Sequence, residues 1–560
     1  MTDSFYLPMK TRASRFFLTV IAILNMAISS GSAPAPGPAL APDADSNPPP
    51  GPDRFSIIAV EYQSYEWELR RWKDRKVACN LTIDHDGMPT PDEVFRDCGT
   101  IIYREWVSQP LCNVNNVKNC EGYYAFLTGA KPQEKEIAMQ LPAASAWITL
   151  EDCEPVFSVG TNICESKPTL VIAGQEPLPN ESINKIEGTY NDEPFFCDES
   201  DVCKFRIPET DDDGAEVTFW AYSTYGDSSL VYEAQVRVKQ ADEGDPDQLY
   251  WYVDVLSSQW QGEVSATCSE TWGVFPPVGG APQWLSAPTE DEDLSSDIPY
   301  TYLAANLILQ GIVDARSCPD GGLAPGNVVN QCGLEKSREA VIEWQNQFDG
   351  LILETAKETN VPAFLLKNLF ARESQFWPGI FQGAADIGLG QLTENGADTT
   401  LFWNESFFNQ FCPLVMDSES CGLGYAHLEE EHQAELRRAL VGSVDATCEE
   451  CPLGLDLSQA DFSIGVFAHT LIANCEQAAQ VVYNYTGKTA DLAAEYEDLW
   501  KFTLVNYNAG GGCLAEAVSG GYAANNLPLT WETVSPHLVG VCASAVDYVN
   551  DISSEAMPPE

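Results

Sequence analysis

The chain of 560 residues is long enough for about three or four domains. Its content of 44% hydrophobic and 11% aromatic residues excludes a wholly disordered protein. The formal net charge of −53 argues against nucleic-acid binding, because a phosphate backbone requires a basic surface, and against charge-driven docking on an anionic membrane.

The first 53 residues predict an export signal followed by a linker. Residues 1–33 combine basic residues, the apolar stretch Phe16–Ile28 and a run of small residues, which is the pattern of a signal peptide. The apolar stretch is short for a membrane span, and an uncleaved N-terminal anchor is the alternative. Residues 34–53 are rich in proline and predict a stiff, solvated linker.

The 18 cysteines form an even set and, with an export signal, predict a disulfide framework in an oxidising compartment. We therefore expect an extracytoplasmic protein, either secreted or associated with the cell surface. Nine cysteines lie up to Cys268 and nine from Cys318 onward, so complete pairing requires at least one bridge between the two sets. A bridge from Cys268 to Cys318 is one choice, and the connectivity as a whole stays open.

The N-terminal half predicts two β-rich, disulfide-bearing modules. Residues 54–165 form a cysteine-rich module in which Phe55–Tyr62 and Ile101–Trp106 favour strands, whereas Glu66–Arg75 favours a helix. Residues 166–240 predict an immunoglobulin-like β-sandwich, because short strands alternate with turn signals. The strands expected there are Thr169–Ala173, Cys203–Ile207, Glu216–Tyr222 and Val231–Val238.

Residues 241–297 predict a transitional segment that ends in an acidic linker. A strand is expected over Tyr250–Leu256. Trp260, Trp272 and Trp284 have rings that stack well on sugars, but packing in the core is the favoured role for each.

Residues 298–550 predict a mainly α domain with a cysteine-rich insertion at about 404–475. Apolar residues recur at helical spacing over four stretches: Tyr302–Ala315, Glu335–Glu358, Phe462–Ala473 and Leu492–Tyr507.

The stretch from Pro362 to Ser374 predicts a fifth amphipathic helix, which ends on an acidic residue. Asn360 is placed to cap its start. Glu373 falls in the last turn, where the helix dipole and nearby aromatic residues favour a protonated carboxyl group. That bias suits a general acid, although a Glu-Ser pair at a helix end is by itself more commonly a solvated surface feature.

Two later segments give Glu373-Ser374 a context. They are Gly388-Leu389-Gly390-Gln391 and Asn506-Tyr507-Asn508-Ala509-Gly510. In this order the three segments resemble those of the soluble lytic transglycosylases, which share a lysozyme-like fold with goose-type lysozymes. The family pattern is a helix-ending Glu-Ser, then Gly-Leu-Met-Gln, then Ala-Tyr-Asn-Ala-Gly. The resemblance covers roughly residues 300–550 and does not extend to the first half.

The chain departs from the family pattern at three points. Gly390 stands where the family usually has Met, so that one apolar wall of the groove is expected to be missing. Asn506 replaces the usual Ala. Gln391 and Asn508 are 508 − 391 = 117 positions apart, which is longer than the spacing expected for the family. The extra length predicts a disulfide-bearing insertion.

The resemblance implies cleavage of the β-1,4 bond between MurNAc and GlcNAc in peptidoglycan, with formation of 1,6-anhydro-MurNAc ends. Glu373 would be the single catalytic carboxylate, acting first as acid and then as base, with help from the N-acetyl group of the substrate. Ser374, Gln391, Tyr507 and Asn508 would bind substrate. No cofactor and no metal are implied.

Two other functions stay open. A lysozyme-type hydrolase on the same fold would need a second carboxylate, for which Asp386, Glu394 and Asp398 are nearest, although solvated loop positions are favoured for them. A surface protein that binds glycan without cleaving it is the other. A zinc site at Cys448 and Cys451 is disfavoured, because a single Cys pair in an exported chain is more commonly a disulfide.

Overall fold

The computed structural model describes residues 49–107, 122–156, 160–242, 249–262, 268–379, 387–448, 450–451 and 454–554. Its strands, apart from one short pair at 323–329, end at residue 256, and all but one of its helices lie beyond residue 267. The predicted division into a β-rich half with disulfides and a helical half is therefore confirmed. The predicted export signal, most of the linker, Cys112, Cys120 and Asp386 lie outside the described residues.

The first module is a three-stranded antiparallel sheet with one helix. Strands β1 (Phe55–Arg71), β2 (Val77–Ile83) and β3 (Tyr123–Gln140) lie in the order β2-β1-β3, and helix α1 (Pro91–Val107) packs against β2. A small apolar core closes the module: Leu69, Leu81, Ile83 and Val94.

Two local predictions in this module are wrong. Residues 66–71, expected in a helix, belong to β1, and Ile101–Trp106, expected in a strand, belong to α1. The reason is long-range pairing, because β1 pairs with β3 along its whole length, from Phe55 opposite Gln140 to Arg71 opposite Tyr123. Such cross-strand pairing overrides a local preference for helix.

A buried cluster of charges anchors this module to the next one. The Arg54 guanidinium, just before β1, contacts Glu176 and Asp227 at 2.7 Å each and donates to the Pro142 carbonyl at 3.0 Å. All three charged side chains are almost fully buried. Arg54 precedes β1 and Pro142 follows β3. These contacts therefore fix this end of the long β1–β3 ribbon to one point of the second module.

The second module is built on eight antiparallel strands within the described residues. Its path runs β4-β5-β11-β10-β9-β6-β7, and β8 pairs with β5. The strands are β4 (Ser145–Val156), β5 (Thr161–Gln175), β6 (Ile183–Tyr190), β7 (Glu193–Asp198), β8 (Val202–Arg206), β9 (Ala215–Ser223), β10 (Tyr232–Asp242) and β11 (Leu249–Leu256). Alternate residues of β9, among them Val217, Phe219 and Ala221, face one apolar core.

All five strands predicted for residues 166–256 are present, but the sheet extends beyond residues 166–240. Strand β4 precedes that segment and β11 follows it, and the predicted boundary at residue 165 falls inside β5. Strand β5 is long because its first residues pair with β11 and its later residues pair with β8. The disulfide between Cys153 and Cys164 joins β4 and β5, so it belongs to this module and not to the first one.

The helical half begins with a short helix and continues through two long ones. In chain order the helices are α2 (Cys268–Trp272), α3 (Thr301–Leu309), α4 (Gln331–Asn346), α5 (Asp349–Thr359), α6 (Ala363–Ser374), α7 (Glu394–Trp403), α8 (Glu405–Phe411), α9 (Ser418–Cys421), α10 (Glu430–Ser443), α11 (Leu457–Thr486), α12 (Ala490–Ala493), α13 (Tyr496–Asn525), α14 (Trp531–Val534) and α15 (Ser544–Ser553). Helices α11 and α13 pack against each other, and one continuous apolar core unites the whole half.

Several helix ends differ from the sequence predictions. The stretch Glu335–Glu358 is divided between α4 and α5, with a break at Gln347 and Phe348. Asn360 adopts a left-handed conformation (φ 56°) and ends α5, so it does not cap α6. By contrast, Gly510 divides α13 at the Asn-Ala-Gly turn, where the stretch Leu492–Tyr507 is expected to end, because its backbone (φ 79°, ψ 165°) is non-helical and favours glycine; a second helical segment follows.

Eight disulfides join described cysteines, which fits an oxidising, extracellular environment. The expected bridge from Cys268 to Cys318 is wrong, because Cys268 pairs with Cys475 and Cys318 pairs with Cys332. The Trp272 indole donates to the Cys475 carbonyl at 3.1 Å and packs beside the first of these bridges. Trp260, Trp272 and Trp284 are buried, as predicted.

The structure offers no support for a metal site or a membrane span. Cys448 and Cys451 form a disulfide, and no three His, Cys, Asp or Glu side chains of the described residues are grouped as metal ligands. No helix in the described ranges combines the length and the apolar character needed to cross a bilayer.

Removing the Arg54 guanidinium tests the buried charge cluster. We expect Arg54→Ala to lower the free energy of unfolding of the β-rich half by about 3–5 kcal/mol, because two buried carboxylates lose their shared partner. Urea denaturation followed by intrinsic fluorescence measures the change. The matched control is Lys204→Ala, which breaks an exposed pair with Glu151 in the same half and should cost no more than about 1 kcal/mol. Equal shifts for the two variants would show that the cluster contributes little.

Candidate active site

Helix α6 presents Glu373 to a cleft in the helical half. The helix buries Leu365, Leu366, Leu369 and Phe370 against the core. This packing sets the rotation of the helix and therefore which residues of its last turn face away from the core. Gln375 and Phe376 then adopt left-handed conformations that turn the chain away. Half-buried Glu373, the predicted catalytic residue, lines a cleft of about 450 Å³.

Ser374 lies next to this carboxylate but does not line the cleft. Its side chain is buried, and its hydroxyl donates to the Leu389 carbonyl at 2.7 Å and to the Phe370 carbonyl at 3.2 Å. The prediction that Ser374 binds substrate is therefore corrected: its hydroxyl holds the 388–391 turn against the end of α6.

The 388–391 turn brings Gln391 into the cleft. Paired backbone hydrogen bonds between Ile387 and Leu392 close the turn, and Gly388 and Gln391 both have positive φ. The Gln391 amide nitrogen donates to the Gly388 carbonyl at 2.6 Å. Its amide oxygen is buried and accepts no hydrogen bond from the described residues. An unused acceptor of this kind is suited to a donor group on a ligand.

Packing explains why residue 390 is glycine. A Cβ atom placed on Gly390 would lie 2.4 Å from the ring of Phe467, which is far below a normal contact distance. Phe467 projects from α11 and is fully buried. The Phe467 ring thus occupies the space that a side chain at residue 390 would need. Glycine replaces the methionine of the family pattern here, and a large side chain from another helix fills the gap.

Helix α13 supplies the opposite part of the cleft. The Tyr507 hydroxyl donates to the Gly390 carbonyl at 2.6 Å, and both Tyr507 and the exposed Asn508 line the cleft, as predicted. The buried Asn506 amide donates to Asn474 and to Gln477 at 2.8 Å each. Asn506, which replaces the usual Ala, therefore ties α13 to α11 behind the cleft.

Sequence reasoning missed Tyr548, which makes the closest described contact to the carboxylate. Its hydroxyl donates to Glu373 Oε1 at 2.5 Å from helix α15. Burial, and then the charge of Glu373, raises the pKa of Tyr548 and of Tyr507 well above the usual value, so both hydroxyls stay protonated. The only sequence signal was the apolar periodicity of α15, which predicts burial but no partner 175 residues away.

The remaining wall of the cleft is polar and uncharged. It is lined by Thr393, Asn395, Thr399, Thr470 and Asn474, together with Asn506 and Asn508. Among the described residues that line the cleft, Glu373 is the only one with a carboxyl group.

The described candidates for a second carboxylate point elsewhere. Glu394 does not line the cleft. Asp398 accepts hydrogen bonds from Tyr425 at 2.6 Å and from Arg437 at 3.0 Å, so its carboxylate is engaged with the insertion. Asp386 lies outside the described residues. Chemistry in the described cleft therefore depends on one acid–base group.

Known proteins give no template for this cleft. Comparisons of the chain with protein-family models, with curated proteins and with solved structures find no match. The structure nevertheless brings the three sequence segments together at one place, with Glu373, Gln391, Tyr507 and Asn508 around a single cavity. What the chain does is inferred from that geometry.

The contact between Gly390 and Phe467 predicts an intolerance to side chains at residue 390. We expect Gly390→Ala to lower the free energy of unfolding of the helical half by about 1–3 kcal/mol, because the core must shift to admit the methyl group. Urea denaturation of the purified variant measures it.

Two further variants decide the cause. Gly465→Ala on α11 meets no atom within 4 Å and should be neutral or slightly stabilising, since alanine favours helix over glycine. In a Phe467→Ala background the cost of Gly390→Ala should largely disappear. A cost that persists in that background would place the cause outside this contact.

Proposed function

We propose that the protein is an exported peptidoglycan lytic transglycosylase. It would cleave the β-1,4 bond between MurNAc and GlcNAc and leave 1,6-anhydro-MurNAc ends. The observation that carries the proposal is one carboxylate, Glu373, held by Tyr548 in a cleft whose other described walls carry only uncharged groups. The resemblance of three sequence segments to the soluble lytic transglycosylases supports the same reaction.

Cleavage of a glycosidic bond needs a proton for the leaving oxygen and stabilisation of an oxocarbenium-like centre. In the proposed reaction the Glu373 carboxyl group gives its proton to the O4 atom of GlcNAc as the bond to MurNAc C1 breaks. The carbonyl oxygen of the MurNAc N-acetyl group attacks C1 from the other side. The Glu373 carboxylate then takes the proton of the C6 hydroxyl, whose oxygen displaces the acetyl oxygen at C1. The ring closes, and Glu373 is protonated again.

The neighbouring side chains fit supporting roles in this reaction. Tyr548 donates to Oε1 of Glu373 and so holds the carboxyl group in one orientation. Gln391 lines the cleft, and an amide side chain is suited to hydrogen bonding with the N–H and O–H groups of a sugar. Tyr507 holds the 388–391 turn in place through Gly390, and exposed Asn508 is available at the rim.

The finer assignments of fold and location belong to the same proposal. We propose that the strands from β4 to β11 form an immunoglobulin-like β-sandwich and that the helical half has a lysozyme-like fold. The partner would be peptidoglycan or a related glycan outside the cytoplasm. The disulfides support the location, since they form in oxidising compartments.

Product analysis tests the reaction. The purified protein should release muropeptides with 1,6-anhydro-MurNAc ends from peptidoglycan, and Glu373→Gln should abolish release while the variant still sediments with the polymer. Mass spectrometry of the soluble products measures this. Hydrated reducing ends would identify a lysozyme-type hydrolase, whose second carboxylate would lie outside the described cleft. Sedimentation without release would identify a glycan-binding protein that does not cleave, and release by Glu373→Gln at the parent rate would refute the site.

The hydrogen bond from Tyr548 predicts a positioning role. We expect Tyr548→Phe to lower kcat about 10- to 100-fold with little change in KM, because the carboxylate loses its fixed orientation. Steady-state release of muropeptides measures both constants. Tyr483→Phe, at an exposed tyrosine of α11, is the matched control and should change neither. An unchanged kcat in Tyr548→Phe would remove Tyr548 from the proposed machinery.

A further inference from the structure

One face of α7 continues beyond the cleft and ends in two aromatic residues. Asn395 and Thr399 on this helix line the cleft. At 3.6 residues per turn, Phe402 projects within about 20° of Asn395, and Trp403 within about 40° of Thr399. Both rings therefore lie on the cleft side of the helix, about 10 Å beyond Asn395 along its axis.

The two rings are available to a ligand, whereas the other side of α7 is not. Phe402 is 51% exposed and Trp403 is half-buried, and their ring centroids are 5.2 Å apart. On the opposite side Ala397 and Leu401 are fully buried, and buried Thr400 is within hydrogen-bonding distance (3.0 Å) of Thr470 on α11. The helix thus has one packed face and one open face, and the aromatic rings belong to the open one.

Residues of the insertion hold these rings in place. The Tyr425 ring packs edge-on against Phe402, with centroids 6.5 Å apart. Buried Tyr425 is fixed by its hydrogen bond to Asp398 at 2.6 Å, and Arg437 of α10 contacts the same carboxylate at 3.0 Å. An exposed aromatic ring with a supported orientation loses little conformational freedom when a ligand stacks on it.

We propose that Phe402 and Trp403 form an aromatic platform that extends the cleft and stacks on a sugar ring remote from the cleaved bond. The inference rests on the proposed function, since it assigns the occupant as a further part of the same glycan strand. A pyranose ring can stack its C–H groups on an aromatic face, and its hydroxyls can bond to amides and hydroxyls. Helix α7 offers both kinds of partner in turn, with Asn395 and Thr399 in the cleft and the two aromatic rings beyond them. The platform would make the enzyme prefer long strands to short ones.

Strand length is the variable that tests the platform. Purified glycan strands are separated by length, and kcat and KM are measured on each fraction for the full chain and its variants. Phe402→Ala should raise KM for long strands about five- to tenfold and leave kcat unchanged. It should not alter either constant for the shortest strands that are cleaved, because these do not reach the platform.

Three variants control for other causes. Phe402→Trp should restore the parent KM, since it keeps an aromatic face. Phe402→Leu should behave like Phe402→Ala although it keeps an apolar contact with Tyr425, so it separates stacking from folding. Tyr483→Ala removes an equally exposed ring (52%) from the far side of α11 and should change nothing.

The outcomes separate the platform from the proposed function. A KM that is unchanged in Phe402→Ala, or that rises equally for short and long strands, would overturn the platform while leaving the function intact. Cleavage of no strand by the parent would refute the proposed function. In that case co-sedimentation with long strands decides the platform: weaker binding by Phe402→Ala than by Tyr483→Ala supports it, and equal binding overturns it.

Discussion

The geometry of the site depends on the packing of one phenylalanine. Phe467 projects from α11 into the core, where its ring meets that of Phe370 edge-on with centroids 5.8 Å apart. Its other side fills the space beside Gly388 and Gly390. Phe370 belongs to the helix that ends at Glu373, and the glycines belong to the turn that carries Gln391. One buried ring thus sets the distance between the proposed acid and the turn beside it, because a close-packed core has low compressibility.

Polar contacts then fix what the packing brings close. Ser374 joins the end of α6 to the turn, and Tyr507 joins the same turn to α13. Asn506 joins α13 to α11, two helices whose faces line the cleft. Next to Asn474, the disulfide between Cys268 and Cys475 links the start of the helical half to α11. Ser374 makes its contact from the buried side of the site, whereas Asn506 and Tyr507 both fix the helices and form part of the surface of the cleft.

Local patterns were sufficient for those parts of the structure that depend on neighbouring residues. The apolar spacing of α6 and the alternation of β9 predicted the correct elements. A helix or strand with one buried face repeats its apolar residues at the period of that element, so the sequence shows it directly. Residues 66–71 were misassigned because they are held between two strands, β2 and β3, and the partners in β3 lie about 50–60 positions further on. Tyr548 and the Cys475 partner of Cys268 were missed for the same reason. In each case the interaction joins segments whose proximity no local period encodes.

The lone carboxylate is a consequence of this construction. Several hydroxyls and amides of the polar wall are already hydrogen-bonded within the protein, as in the contacts of Thr470 with Thr400 and of Asn474 with Asn506. Replacing either buried partner with a carboxylate would desolvate a charge and break a satisfied hydrogen bond. The free energy lost in this way would exceed what new contacts in the wall could return. In the proposed reaction the described wall would offer neutral partners to sugar hydroxyls and amides, and Glu373 would carry the proton transfers. Because the described cleft has no second carboxylate, the nucleophile at C1 would have to come from the N-acetyl group of the substrate.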